Sequence, residues 1–279
     1  QANNTGTFSI FVKAKELKYV QIASANTTEQ YVNFDLINGV IGTVGSSFSN
    51  AKIEDYGNGW YRCIVVSANQ FNGFYFSLVN GLNATWLESW VMPNSTDGLY
   101  IWGAQLEQGS YATSYIPTSG GVVTRSADEC NNGANEQVIN STEGVLYWEA
   151  SALADDGTDR RIALSDGTLN NYVSIGYSRF SGNIIAEMFS GGVIQTTDWG
   201  ATGFSQTNNN KFAMSWGSGT MKFYINGVQK QTASVTSPIG MNNLRFSSGN
   251  GYLIMFSNTK DLRVYNTALT DQELIALTS

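Results

Sequence analysis

The sequence predicts an all-β fold: two antiparallel β-sandwiches in tandem with one short C-terminal helix. Three observations carry this expectation. Short runs alternate bulky apolar residues with small or polar ones, the period of two that half-buried strands require. Turn residues, Asn-Gly among them, separate the runs. One stretch alone, at the C-terminus, carries the start signals of a helix.

In the first half, Gly6 to Ala14 alternates cleanly, and Tyr31 to Leu36 repeats the device before an Asn38-Gly39 turn and a short run from Val40 to Gly42. Gly57-Asn58-Gly59 precedes a strand from Trp60 to Val66, and Phe74–Val79 and Leu99–Leu106 complete the set. Between Pro117 and Gly144 the pattern lapses into polar sequence with little periodicity, which places a domain boundary near residue 121. The expected domains are therefore 1–121 and 122–279. The second half restarts at Gly144–Ala150 and continues with strands at Tyr172–Tyr177, Ile184–Phe189, Lys211–Trp216, Met221–Ile225 and Leu262–Tyr265, with an Asn226-Gly227 hairpin turn. In the tail, Thr270 is the expected N-cap, Glu273 completes a capping box, and Leu274 and Leu277 supply the apolar face.

Composition narrows the function. The chain has 279 residues, of which 42% are hydrophobic, so it can bury a core. Charged residues make up 13%, about half the usual share of roughly 25%, so Asn, Ser, Thr, Gln and Gly must build the surface. That is the composition of a β-rich extracellular or virion protein. Histidine is absent, which excludes a Ser-His-Asp triad, a Cys-His dyad and a His-based zinc site. Cys63 and Cys130 cannot make a thiolate metal cage, and their spacing does not indicate a disulfide. A net charge of −7 argues against nucleic acid or an anionic membrane as the main partner. No apolar run approaches the roughly 20 residues that span a bilayer, so no membrane insertion is expected. The chain opens on Gln1 rather than Met and reads as a fragment or processed product.

Two stretches resemble known families. Leu99-Tyr100-Ile101-Trp102-Gly103-Ala104-Gln105-Leu106-Glu107-Gln108-Gly109, followed by Tyr111 to Thr118 and Thr124 to Asp128, resembles a block that recurs in bacteriophage and prophage structural proteins. With Gly57-Asn58-Gly59-Trp60-Tyr61-Arg62 upstream, it looks like the jelly-roll module of tail fibres, similar in architecture to carbohydrate-binding modules. The second half, through Phe223 to Val228 and Asp261 to Leu274, resembles the concanavalin A-like, laminin-G-type jelly roll. The resemblance implies two jelly-roll sandwiches from a phage particle. It does not imply an activity, because such folds host lectins, adhesion modules and glucanases alike.

Enzymatic chemistry finds little footing. Glycoside hydrolysis needs two carboxylates roughly 5–9 Å apart, and the Glu-x-Asp-x-x-Glu arrangement of jelly-roll glucanases is absent. Glu54 and Asp55 are adjacent and would point to opposite faces of a strand. A lyase would need a Tyr–Arg–acid cluster lining a groove. No catalytic residue is assigned, and a non-enzymatic protein is expected.

Sugar binding is better served. Aromatic rings stack on the apolar faces of pyranoses while amides and carboxylates bond the hydroxyls. Trp86 and Trp90 stand four apart, so in a strand they share a face at a separation of about 13 Å; the ordinary alternative is that they fill the core. Trp199, in a polar stretch, is the third candidate platform. Trp60, Trp102, Trp148 and Trp216 are assigned to the core. Asp155, Asp156 and Asp159 flank a Gly-containing turn and offer oxygen ligands suited to a structural Ca²⁺, against the ordinary reading of a solvated loop; no cofactor is otherwise required. The sequence thus predicts a phage virion or appendage protein that binds host cell-surface polysaccharide. Other virion subunits, or further copies of the chain, are the second class of partner. A purely structural decoration or scaffold module is the first alternative, and a polysaccharide hydrolase or lyase the second.

Overall fold

In each half, hairpin pairs of consecutive strands are joined by pairings between strands distant in sequence. The computed structural model describes residues 5–25, 28–46, 48–67, 73–124, 133–180, 182–198 and 204–279. The chain divides into two units, Gln1–Thr124 and Arg125–Ser279, and each is a sandwich of two antiparallel sheets. Cys130 and most of the Thr124–Asp128 stretch lie outside the described residues.

The first unit has β1 (Gly6–Ala14), β2 (Tyr19–Ser24), β3 (Tyr31–Asp35), β4 (Val40–Val44), β5 (Phe48–Asp55), β6 (Trp60–Ser67), β7 (Phe74–Leu78) and β8 (Leu99–Gln108). One sheet runs β5-β6-β1-β8 and the other β4-β3-β2-β7. Pairing β1 with β8 and β2 with β7 brings the last two strands of the unit back beside its first two, each at a sheet edge. Alternation sends Phe8, Ile10 and Val12 inward, where they meet Val20, Ile22, Val32 and Phe34 from the facing sheet. Phe8 stacks on Phe74 across the sandwich, ring centroids 4.6 Å apart. Cys63 is a buried free thiol in this core, and burial pushes its pKa up. It is an inert packing residue.

The β3–β4 turn shows how local chemistry fixes register. Gly39 sits at φ +63°, where a side chain is strained. The Asp35 carboxylate accepts from the Ile37 N–H at 2.8 Å, the Asn38 N–H at 3.2 Å and the Asn38 amide at 2.8 Å. Burial opposes the Asp35 charge, but these donors outweigh it and hold its pKa below the usual carboxylate range. A folded pKa below the unfolded value means the stabilisation is complete above roughly pH 4 and is lost as pH falls through the folded pKa. Asp35→Ala is expected to cost about 1–2 kcal/mol at pH 7. Urea midpoints at pH 7 and pH 3 check this: the deficit should shrink at pH 3.

The second unit has β9 (Gly144–Ala152), β10 (Arg160–Ser165), β11 (Tyr172–Tyr177), β12 (Ile184–Ser190), β13 (Val193–Asp198), β14 (Asn210–Gly217), β15 (Thr220–Ile225), β16 (Val228–Ser234), β17 (Asn243–Arg245), β18 (Ser257–Tyr265) and α1 (Asp271–Thr278). The sheets run β13-β12-β11-β10-β17 and β16-β15-β14-β9-β18. Trp148, Trp216, Tyr177, Phe212 and Phe223 fill the core between them. The β15–β16 hairpin turns on Asn226 and Gly227, both at positive φ, as a tight primed turn demands. The predicted capping box is present at Thr270 and Glu273. It starts α1 so that Leu274 packs on Val145, Tyr147, Ala213 and Tyr224, covering the outer face of the β14–β9 region.

Candidate functional site

The outer face of the β7-β2-β3 sheet carries the aromatic residues that sequence singled out. Inward packing of Phe74 and Phe76 leaves Tyr75 and Ser77 of β7 on the other face. The register sets Gln21 between Asn33 and Ser77, and Ala23 between Tyr31 and Tyr75. Residues 79–98 cross this face as a loop, and Trp86 and Trp90 belong to it. The expectation of two rings sharing a strand face is therefore corrected. Asp97-Gly98 and the turns at 81–87 break the chain before any ladder forms.

Two buried amides hold the loop. Gln21 and Asn33 are fully buried. Gln21 Nε2 donates to Asn33 Oδ1 at 2.8 Å and to the Thr85 carbonyl at 2.9 Å, and Gln21 Oε1 accepts from the Leu87 N–H at 2.8 Å. Asn33 Nδ2 donates to the carbonyls of Leu82 and Ala84 at 3.0 and 2.7 Å. Gly42 lets the loop sit close, since a Cβ there would lie 2.4 Å from the Leu82 oxygen. Leu87 takes φ +43°, a strained conformation that the Gln21 bond helps to hold.

This anchoring presents the rings in a particular way. Trp86 and Trp90 are half-buried. Trp86 Nε1 donates to the Ser24 carbonyl at 3.4 Å, and Trp90 Nε1 to the Leu78 carbonyl at 2.9 Å. Ser24 pairs with Phe74, so the two anchors stand at opposite ends of β7, roughly 13 Å apart at 3.3 Å per residue. Tyr75, 46% exposed, projects between those ends. With both indole N–H groups spent on main-chain carbonyls, what these half-buried rings have left to offer is stacking. Tyr75 was not singled out from sequence, although its alternation with Phe74 and Phe76 marks it as outward-facing.

Trp60 and Trp102 correct a second expectation. They lie on the outer face of the β6-β1-β8 sheet instead of in the core. Trp102 is 46% exposed and stacks on Phe11 at 4.5 Å with Tyr115 edge-on at 5.0 Å. The residues that carry the phage-type resemblance have structural work here. Arg62 is 3% exposed; it donates to the Thr113 carbonyl at 2.7 Å and Ser9 Oγ at 2.8 Å. Glu107 accepts from the Thr113 N–H and hydroxyl, and Gln105 Oε1 accepts from the Ile116 N–H at 2.8 Å. Together they strap residues 109–116 across the sheet.

In the second unit, Trp199 lies outside the described residues. Asp155, Asp156 and Asp159 share one loop but turn to separate protein donors. Asp156 takes both oxygens to Arg160 Nη2 at 2.6 and 2.7 Å, Asp159 accepts from the Arg179 N–H at 2.6 Å, and Asp155 from the Gly182 N–H at 3.2 Å. Among the described residues no group of three His, Cys, Asp or Glu side chains is arranged to hold a metal ion. No helix among them is long and apolar enough to cross a membrane.

No protein-family model and no curated protein matches the chain. Several solved structures are similar to it. The CBM40 of the Ruminococcus gnavus IT-sialidase, bound to α2,3-sialyllactose, matches at 15% identity and a TM-score of 0.44, covering 53% of this chain and 94% of that one. The Caenorhabditis elegans galectin LEC-6 matches at 14% and 0.36, covering 50% and 91%. The Bacillus licheniformis β-glucanase matches at 20% and 0.32, covering 45% and 64%. The three are a carbohydrate-binding module, a galectin and a β-glucanase, each at 20% identity or less.

Proposed function

We propose that the chain is a non-enzymatic glycan-binding protein of a phage virion appendage, with Trp86, Trp90 and Tyr75 forming the sugar platform on host cell-surface polysaccharide. The observation that supports it is the pinned loop: two buried amides and two indole bonds hold Trp86 and Trp90 over a sheet face on which Tyr75 of β7 is exposed. The appendage part of the reading rests on the Trp60–Arg62 and Leu99–Thr118 resemblance. A shallow stacking face binds weakly per site, so many copies on one particle would supply adhesion through avidity.

The test is a glycan array probed with the chain displayed multivalently on beads. Trp86→Ala is expected to lower retention at least tenfold, on the scale of a lost stacking anchor of about 1.5 kcal/mol or more per site. Because the Asp155, Asp156 and Asp159 carboxylates are each engaged by the protein, retention is expected to survive EDTA; loss in EDTA would instead support a Ca²⁺ there. The reading also expects no release of reducing ends or unsaturated products from bound polysaccharide. Either product would put a hydrolase or lyase in its place.

A second reading, a structural module contacting neighbouring subunits, is favoured by β8. That strand is a sheet edge with Ile101, Trp102 and Leu106 at 52%, 46% and 59% exposure, and long apolar edges invite pairing. On this reading the chain self-associates in sedimentation, and Leu106→Lys dissociates it. A monomeric wild type would remove it.

A further inference from the structure

Residues 134–137 and the start of β17 line an open cleft of about 630 Å³ in the second unit, a volume within the roughly 300–1,000 Å³ of small-ligand sites. Its walls are tied to the core. Ile139 is buried there, and the N–H groups of Val138 and Ile139 donate to the Asn135 carbonyl at 3.0 and 2.9 Å. On the facing side, the Met241 N–H donates to Ser141 Oγ at 2.8 Å. The polar lining is Asn135, Glu136, Gln137, Asn242 and Asn243. The first three are exposed and the two β17-side amides are half-buried, so the cleft is reached from solvent. Asn135 Oδ1 accepts from the Gln137 N–H at 2.9 Å, and Asn243 Nδ2 donates to Asn242 Oδ1.

β17 leads from this cleft to an unpaired cation. Leu244 points into the core, so Asn243 and Arg245 share the outer face of what is an edge strand. Arg245 is half-buried and has no hydrogen bond or ion pair among the described residues. Its Nε is buried, whereas Nη1 and Nη2 are not, so the far edge of the guanidinium meets solvent. That edge lies between two glycine turns. A Cβ on Gly251 would stand 3.6 Å from Nη1, and a Cβ on Gly167 would stand 3.9 Å from both Nη2 and Asn243 Nδ2. Gly167 and Gly251 take φ of +87° and +91°, which side chains rarely adopt, so the space over Gly167 stays open to both nitrogens. Asp166, next in sequence, spends its carboxylate on Thr168 and Asn171.

The chemistry selects the ligand. A half-buried guanidinium without a counterion calls for one. With Nε turned inward, the open Nη1–Nη2 edge suits the two oxygens of a carboxylate, which accept paired, charge-assisted bonds. Asn243 belongs both to the cleft and to the space over Gly167, so a ligand held at Arg245 extends into the cleft. There amides and a carboxylate can donate to and accept from hydroxyls. We propose that the cleft and Arg245 form a second glycan site that takes an acidic sugar of the uronate type. Arg245 and Asn243 hold its carboxylate over Gly167, and Asn242, Gln137 and Glu136 bond its hydroxyls. A single cation beside Glu136, in a chain of net charge −7, favours one carboxylate per ring over dense polysulfates.

The choice of a sugar rests on the glycan-binding reading, but the residues are separate from Trp86 and the two fail separately. The full chain carrying Trp86→Ala is titrated against immobilised polygalacturonate, alginate and hyaluronan, their carboxyl-reduced forms, and a sulfated glycan. Retention on at least one uronate polymer is expected, with little on its carboxyl-reduced form. Adding Arg245→Gln is expected to lower that retention about tenfold or more, the scale of a lost charge-assisted bond. Its melting temperature is expected to be unchanged or raised, since the variant removes a buried donor that has no acceptor. In the wild-type chain, which needs no variant to fold, the Arg245 Nε–H resonance is expected to shift saturably on titration with a uronate oligosaccharide. Retention unchanged by Arg245→Gln, equal retention on the carboxyl-reduced polymer, preference for the sulfated glycan, or no uronate polymer retained would overturn the proposal.

Discussion

Replacing Arg62 with alanine is expected to cost about 3 kcal/mol and to free residues 109–116 from the sheet. The guanidinium is buried, bonds the Thr113 carbonyl and Ser9, and lies over the Phe11 ring at 5.3 Å. Breaking a buried charged contact by removing one partner costs on the order of 3–5 kcal/mol. The lower end applies, because Glu107 lies 4.0 Å away and keeps Thr113 as its donor. Arg62→Lys is expected to restore less than half of the loss, since an ammonium cannot span both acceptors. Urea denaturation gives the energy, and proteolysis after Tyr111 or Tyr115 reports strap release.

Asn33→Ala is expected to cost about 2–4 kcal/mol and to abolish glycan retention without touching an aromatic ring. The substitution removes three hydrogen bonds and strands the Ala84 carbonyl beneath the loop, while the Leu82 carbonyl keeps the Thr43 N–H. Each orphaned buried group costs about 1–3 kcal/mol. Freed from Asn33, the loop loses the fixed position of Trp86. The expected signature is a folded sandwich with intact far-UV signal, lost retention, and a more exposed Trp86 in fluorescence quenching. Retention at the wild-type level would mean that the Gln21, Thr43 and indole bonds hold the loop without Asn33.

Much of the fold was legible because alternation is a local signal. The strands at Gly6, Tyr172 and Ile184 start where the pattern says, and the Thr270–Glu273 box marks the helix start. Strands such as β2, with Tyr19-Val20-Gln21-Ile22, and β10, with Arg160-Arg161, were missed because polar residues occupy positions that the fold buries. Gln21 is one of them and holds the loop together with Asn33; both look like ordinary surface residues until register sets them side by side. Trp102 shows the converse: a large ring inside a strand motif reads as core, but its face is set by its pairing with Phe11, which itself points outward.

The most direct measurement follows the indole N–H resonances of the seven tryptophans by NMR during titration with an oligosaccharide taken from the array. The account predicts saturable shifts at Trp86 and Trp90, with Trp148 and Trp216, buried in the second core, unmoved. Saturable shifts confined to other tryptophans, with Trp86 and Trp90 silent, would contradict it.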